Sequence, residues 1–242
     1  MVPPAPPPEI LAVTGRRVLA VYAHPDDPEI SCGGFVARTV AAGGSAVVVT
    51  VTRGDKGADD PGVDPDELAE RRADEARRAA AVLGADEHRG LGWPDGELDD
   101  PVVLRRHLVR IVRDVRPDVV VAPDPTAVFF GGTYVNHRDH RAVGWAVLDA
   151  VSPDAASPLY QPGEGEPHGV GLVLLSGTLE PDVVVDIAPV VDVKVAAVAC
   201  HASQLGGADE DFVREMVLDR ALAEGARAGV GPAESFRRLA LR

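Results

Sequence analysis

The chain has 242 residues, enough for one α/β domain that buries about 70% of its unfolded surface without disulfides or a structural metal. Hydrophobic residues make up 45% and charged residues 26%, which excludes a disordered or fibrous chain, and no apolar run approaches the roughly 20 residues of a bilayer span. With 38 acidic against 24 basic side chains the formal charge is −14, which repels phosphate backbones and argues against nucleic acid as the main partner.

Met1–Ile10 is rich in proline and lacks the basic and apolar segments of a signal peptide, so the cytoplasm is the expected compartment. Residues 1–12 are expected to be a disordered N-terminus and 13–242 a single domain. Arg17–Ala23 reads as a buried strand, because Val18-Leu19-Ala20-Val21 is apolar without a 3.6-residue period. His24-Pro25 ends it. Ser31–Ala42 reads as a helix stopped by Gly43-Gly44, and Ala46–Val51 as a second strand, followed by a Gly/Asp-rich loop over Thr52–Pro65. Asp66–Leu83 is the clearest helix. Its apolar stripe is Leu68, Ala76, Ala79 and Leu83, and Arg72 falls in register with that stripe, where a cation needs a partner. Glu87–Leu91 (strand), Pro101–Val115 (helix) and Asp118–Ala122 (strand) follow. A helix opening at Asn136 or His137 runs to about Val151, before a Pro/Gly-rich insertion. Strands Val170–Leu175 and Val183–Ile187, then helices over Pro189–Gln204 and Asp209–Ala226, complete the chain. This order predicts an α/β fold: a Rossmann-like, mainly parallel sheet with helices on both faces and ligands at the carboxyl ends of the strands.

Two clusters fall at that edge. His24-Pro25-Asp26-Asp27 follows the first strand, and Asn136-His137-Arg138-Asp139-His140 follows the fourth. An isolated HPDD is an Asp-rich turn, and an isolated His pair is more often structural than metal-binding. Together they bring imidazoles and carboxylates to one place, and three N/O ligands with an open position are the pattern of a hydrolytic zinc site. The ligand set inferred is His24, Asp27 and His140. Cys32 and Cys200 are too few and too far apart for a zinc cage or a disulfide framework.

These residues resemble the PIG-L/LmbE family of zinc-dependent N-deacetylases, which includes deacetylases of N-acetylglucosaminyl conjugates and of the mycothiol pathway. The resemblance runs through Ala23–Glu29 with Gly33-Gly34, Thr52–Gly57, Arg72–Glu75, Leu91–Gly96 and Asn136–His140, ending with Lys194–Ala197 and His201–Gln204. It implies His24, Asp27 and His140 as metal ligands, Asp26 as general base, His137 as the acid or electrophilic partner, and Asp139 as a carboxylate that orients an imidazole. Zinc is the implied cofactor, with iron as the in-cell alternative. Arg72 is a candidate substrate contact, weighed equally against an ion pair with Glu75. Asp95 is a candidate for a sugar hydroxyl, weighed against turn chemistry. His201 reads as a structural hydrogen-bonded histidine, Cys32 as a small packing residue, and Asp124 and Glu29 stay open. Where the mycothiol enzyme has a tyrosine two residues before the first histidine of the second motif, this chain has Val135, with Tyr134 beside it.

The function so implied is hydrolysis of an N-acetyl or similar acyl group from an amino sugar or related glycoconjugate. A mycothiol-conjugate amidase and a natural-product tailoring deacetylase share that chemistry. The rival from another class is a non-catalytic nucleotide- or phosphate-binding module with Mg²⁺ on Asp26 and Asp27. Against it, the chain lacks both a G-x-G-x-x-G after the first strand and a G-x-x-x-x-G-K-[ST] anywhere, and magnesium prefers oxygen to imidazole. The expected partner is a small N-acylated molecule, with no membrane span. Homo-oligomerisation is left open.

Overall fold

The computed structural model describes residues 6–99 and 101–241. Strand β1 (Glu9–Ile10) is followed by β2 (Arg17–Tyr22), helix α1 (Asp27–Ala41), β3 (Ser45–Thr52), α2 (Pro65–Val82), β4 (Glu87–Trp93), α3 (Pro101–Val115) and β5 (Val119–Pro123). A two-stranded hairpin, β6 (Phe129–Phe130) and β7 (Tyr134–Val135), leads into α4 (Arg138–Asp149) and an irregular helical extension, Ala150–Ala155. Then come β8 (Leu172–Ser176), β9 (Val183–Asp186), α5 (Val191–Ala199), α6 (Glu210–Ala226) and β10 (Ala233–Ala240). The main sheet has the order β1-β9-β10-β8-β5-β2-β3-β4. Pairing is parallel except at β10, which runs antiparallel to both β8 and β9.

Burial on both sheet faces follows from the continuous apolar runs. Val18, Ala20 and Tyr22 of β2 pack with α1 residues Cys32, Phe35 and Val36 on one side. Leu19 and Val21 pack with Leu104, Leu108 and Val112 of α3 and with Val143 and Val147 of α4 on the other. The central strands β2, β5 and β8 each contribute alternate residues to two cores, which is why no polar face interrupts them.

Four departures from the sequence expectations have physical causes. Residues 1–5 lie outside the described residues, but Glu9 and Ile10 already pair with Val183 and Val184, so ordered structure begins before residue 13. Helix α1 begins at Asp27 rather than Ser31, because Pro28 in the first turn lacks only an N–H that would have no intrahelical acceptor. The expected helix over Pro189–Gln204 is reduced to α5 flanked by short 3-10 turns at Ala188–Val190 and Ala202–Gln204. Strand β10 follows the helix expected to complete the chain, and it carries Glu234, Ser235, Arg237 and Arg238 into the sheet. Glu234 is buried there and accepts the backbone N–H groups of Gly34 and Phe35 at 2.7 Å each. Gly34 permits that approach, since a Cβ on it would overlap the Ile187 side chain.

Candidate metal centre and active site

The chain leaves β2 and builds outward through β3 and β4, then returns to add β5 on the other side of β2. The carboxyl ends of β2 and β5 thus form the switch point at which open α/β sheets bind ligands. The turn His24–Asp27 follows β2, and the segment Asn136–His140 enters α4 beyond β5.

Three atoms converge there. His24 Nδ1, Asp27 Oδ2 and His140 Nε2 are mutually 3.2 Å apart. Ligands on a tetrahedral zinc with bonds of about 2.0–2.1 Å lie about 3.3 Å apart, so this triangle has the edge length of one face of such a site. The far nitrogens of both imidazoles are engaged elsewhere. His140 Nδ1 lies 3.0 Å from Asn136 Oδ1, whose amide is set by a 2.8 Å bond from Nδ2 to the Ala127 carbonyl. His24 Nε2 lies 3.2 Å from Asp95 Oδ1 and 3.6 Å from Asp139 Oδ2. Hydrogens on those outer nitrogens leave the inner ones with lone pairs directed at a shared centre. Burial opposes charging of His24, but hydrogen bonds with Asp139, Asp27 and Asp95 outweigh it and push the imidazole up to about 12. Asp27 is held well below the usual carboxylate range: burial opposes this, and the two histidines prevail. The cluster favours a cation.

A second grouping, His24, Asp95, His137 and Asp139, also brings four candidate ligand atoms together. Its carboxylates are committed differently. Asp139 is fully buried, and its Oδ2 accepts the Gly96 N–H at 2.7 Å. Asp95 takes the outer nitrogen of His24, and its own N–H donates to Asp55 Oδ1 at 2.9 Å. These groups orient His24 from behind.

Asp26, Arg72 and His137 ring the triad. Arg72 donates from Nη2 to Asp26 Oδ1 and from Nη1 to the Gly54 carbonyl, both at 2.9 Å. The loop of Gly54 and Gly57 wraps this guanidinium so closely that a Cβ on either glycine would collide with it. The pairing of Arg72 with Glu75 weighed from the sequence does not form; Glu75 instead accepts from Ser203 N and Oγ at 2.9 and 2.6 Å. His137 caps α4 by accepting the Asp139 N–H at its Nδ1, 3.3 Å away. Burial and the neighbouring His24 push its pKa down despite Asp139.

Further out, Glu29 is buried against His201, Oε2 to Nε2 at 3.0 Å, and is not a solvated carboxylate. Lys194 Nζ bonds the Ile30 carbonyl at 2.9 Å and Glu234 Oε1 at 2.6 Å. Cys32 is buried, and burial pushes its thiol up. Asp124 closes its own turn, accepting from Thr126 N and Oγ1. Sequence reasoning named neither Asn136 as the orienter of His140 nor Asp55 as the support of Asp95. Both lie inside segments quoted for the family, and only their spatial partners show what they hold.

The PIG-L family model, described as GlcNAc-PI de-N-acetylase, matches residues 19–151. A diacetylchitobiose deacetylase of Thermococcus kodakarensis is 34% identical over 193 residues, covering 78% of this chain and 70% of that protein. A 1D-myo-inositol 2-acetamido-2-deoxy-alpha-D-glucopyranoside deacetylase of Kineococcus radiotolerans is 36% identical over 167 residues; there the match spans 56% of this chain and only 45% of the relative. Among solved structures, the N,N'-diacetylchitobiose deacetylase of Pyrococcus horikoshii superimposes with a TM-score of 0.80 at 29% identity, covering 93% of this chain and 84% of that one. The carboxyl-edge cluster therefore sits in a chain that belongs to the PIG-L family of de-N-acetylases.

Proposed function

We propose that this protein is a zinc-dependent hydrolase that removes acyl groups, acetyl the simplest, from N-acylated amino sugars or their conjugates. The observation that carries the reading is the triangle of His24 Nδ1, Asp27 Oδ2 and His140 Nε2 with 3.2 Å edges. Two imidazoles and one carboxylate with an open side suit zinc and leave iron as the alternative metal, whereas magnesium prefers an all-oxygen shell. Such a metal supplies a Lewis acid for the amide carbonyl and lowers the pKa of water.

The protein's own groups do the rest. Asp26, its Oδ1 held by Arg72, is the base that takes the proton of the attacking water through its other oxygen. His137 accepts at Nδ1 from the Asp139 N–H, so in its neutral form Nε2 carries the hydrogen and donates it as a hydrogen bond to the developing oxyanion, while the proton that Asp26 took from the water passes on to the departing amine. Asp95 and Arg72 line the same polar cavity as Asp26 and His137, together with Lys56 and Gln204, and offer donors and acceptors to sugar hydroxyls. Among the described residues no helix is long and apolar enough to cross a membrane.

Primary-amine release from N-acetylglucosamine glycosides and from cysteine-containing conjugates, using metal-stripped protein with and without zinc, tests this. Zinc-dependent release from the glycosides is expected. Release from thiol conjugates alone moves the assignment to a conjugate amidase, and neither release nor zinc binding overturns it. Asn136→Leu, which leaves the outer nitrogen of His140 without its acceptor, should weaken zinc binding 10- to 100-fold in a chelator competition. Unchanged affinity would show that Asn136 does not orient the ligand.

A further inference from the structure

We propose that the triad opens on its far side into an acyl pocket, and that the enzyme favours N-acyl groups longer than acetyl. The inference rests on the deacylase reading above and specifies its substrate.

Asp27, His140 and Tyr134 border two cavities at once. The polar one also holds Asp26, Arg72, Asp95 and His137. The other, about 480 Å³, is lined by Tyr22, Ile30, Pro123 and Phe130 and also by the charged side chains of Arg220, Glu224 and Arg227. Its floor is closed by the bond between Tyr22 Oη and Ser176 Oγ at 2.8 Å. Its outer wall is the β6–β7 hairpin, on which Phe130 and Tyr134 pair with ring centroids 5.9 Å apart.

The chemistry of an amide assigns the two spaces. The carbonyl carbon carries an oxygen, a nitrogen and the acyl chain, in three directions. Asp26, which moves the proton of the attacking water to the leaving amine, and His137 both line the polar cavity and not the other. The amine and its sugar therefore lie on that side, among groups that bind hydroxyls. The acyl chain leaves the same carbon in the opposite direction, towards the aromatic-walled space. The methyl of an acetyl group is about the size of one water molecule, roughly 30 Å³. A space of about 480 Å³ is that of a site for a larger ligand. An acetyl substrate would leave most of it filled with water against Ile30, Phe130 and Tyr134, whereas a chain of four to six carbons covers those side chains.

The test compares kcat/KM of the zinc-loaded protein on N-acetyl-, N-butyryl- and N-hexanoylglucosamine, by amine release. The hexanoyl substrate should exceed the acetyl one by about tenfold or more, since a single methylene in a complementary apolar pocket is worth about that much. Ser31→Leu, which fills the pocket from α1, should lower the hexanoyl rate at least about tenfold and keep the acetyl rate within about twofold. Phe130→Ala, on the hairpin outside the core, should reduce the hexanoyl preference without unfolding the protein. Acetyl preference in the unaltered protein, or an equal loss on all substrates in both variants, overturns the acyl pocket. Hydrolysis of none of the three overturns the deacylase reading itself, and the pocket with it, a result distinguishable from acetyl preference.

Discussion

An Asp26→Asn protein should bind its full complement of zinc and turn over about a thousandfold more slowly, the middle of the range for loss of a general base. The substitution is chosen for its neighbours. Asparagine keeps an oxygen for Arg72 Nη2, which donates to Asp26 Oδ1 at 2.9 Å, so the guanidinium is not left without an acceptor in a buried position. Asp26 is also not one of the three triangle residues, so metal content measured by elemental analysis should match that of the unaltered protein. Loss of rate with metal retained isolates the proton-transfer role. A variant that keeps more than about a tenth of the rate at full occupancy would place the base elsewhere, since a general base contributes at least about a hundredfold.

Asp27→Ala should act in the opposite order: metal goes first, and activity with it. Asp27 supplies one corner of the triangle, and its carboxylate lies 3.2 Å from both His24 Nδ1 and His140 Nε2. Its Oδ2 also accepts the His24 backbone N–H at 2.8 Å, so the same side chain folds the turn that presents His24. With it removed, zinc stoichiometry should fall from near one to near zero at micromolar metal, and amine release should be undetectable. The thermal signature should change as well. Zinc at about 100 times its dissociation constant stabilises the unaltered protein by about 2.7 kcal/mol, and this increment should vanish in the variant. A variant that still melts higher with zinc would show that the second grouping, around Asp95 and Asp139, holds the metal.

Much of the fold was legible because its strands are buried on both sides. Val18–Val21, Val119–Ala122 and Leu172–Leu175 are unbroken apolar runs, and nothing else at that length suits a parallel sheet between two helical layers. Strand β10 was illegible for the converse reason. Its Glu234 is neutralised by Lys194, while Arg237 and Arg238 pair with Glu180 and Glu9, partners that no local pattern reveals. The site shows the same division. His24, Asp26, Asp27, Arg72, Asp95, His137, Asp139 and His140 were all singled out from two short motifs and the segments between them, and the topology brings them to one edge. The partner of Arg72 was not readable. Local spacing offered Glu75 three residues on, but that carboxylate is taken by Ser203, 128 positions away, and Arg72 turns to Asp26 instead.

The buried pairs beneath α1 bear on what can be separated from what. Lys194 and Glu234 grip the helix at the Ile30 carbonyl and at the Gly34 and Phe35 amides, and His201 holds Glu29, two residues beyond Asp27. The match to the family model ends at residue 151, yet the helix that aims the first motif is clamped by side chains from positions 194, 201 and 234. The first motif is thus not a portable cassette. Grafted or expressed without the last third of the chain, residues 19–151 would keep the ligand triangle, Asp26 and His137 and lose the anvil against which α1 is set.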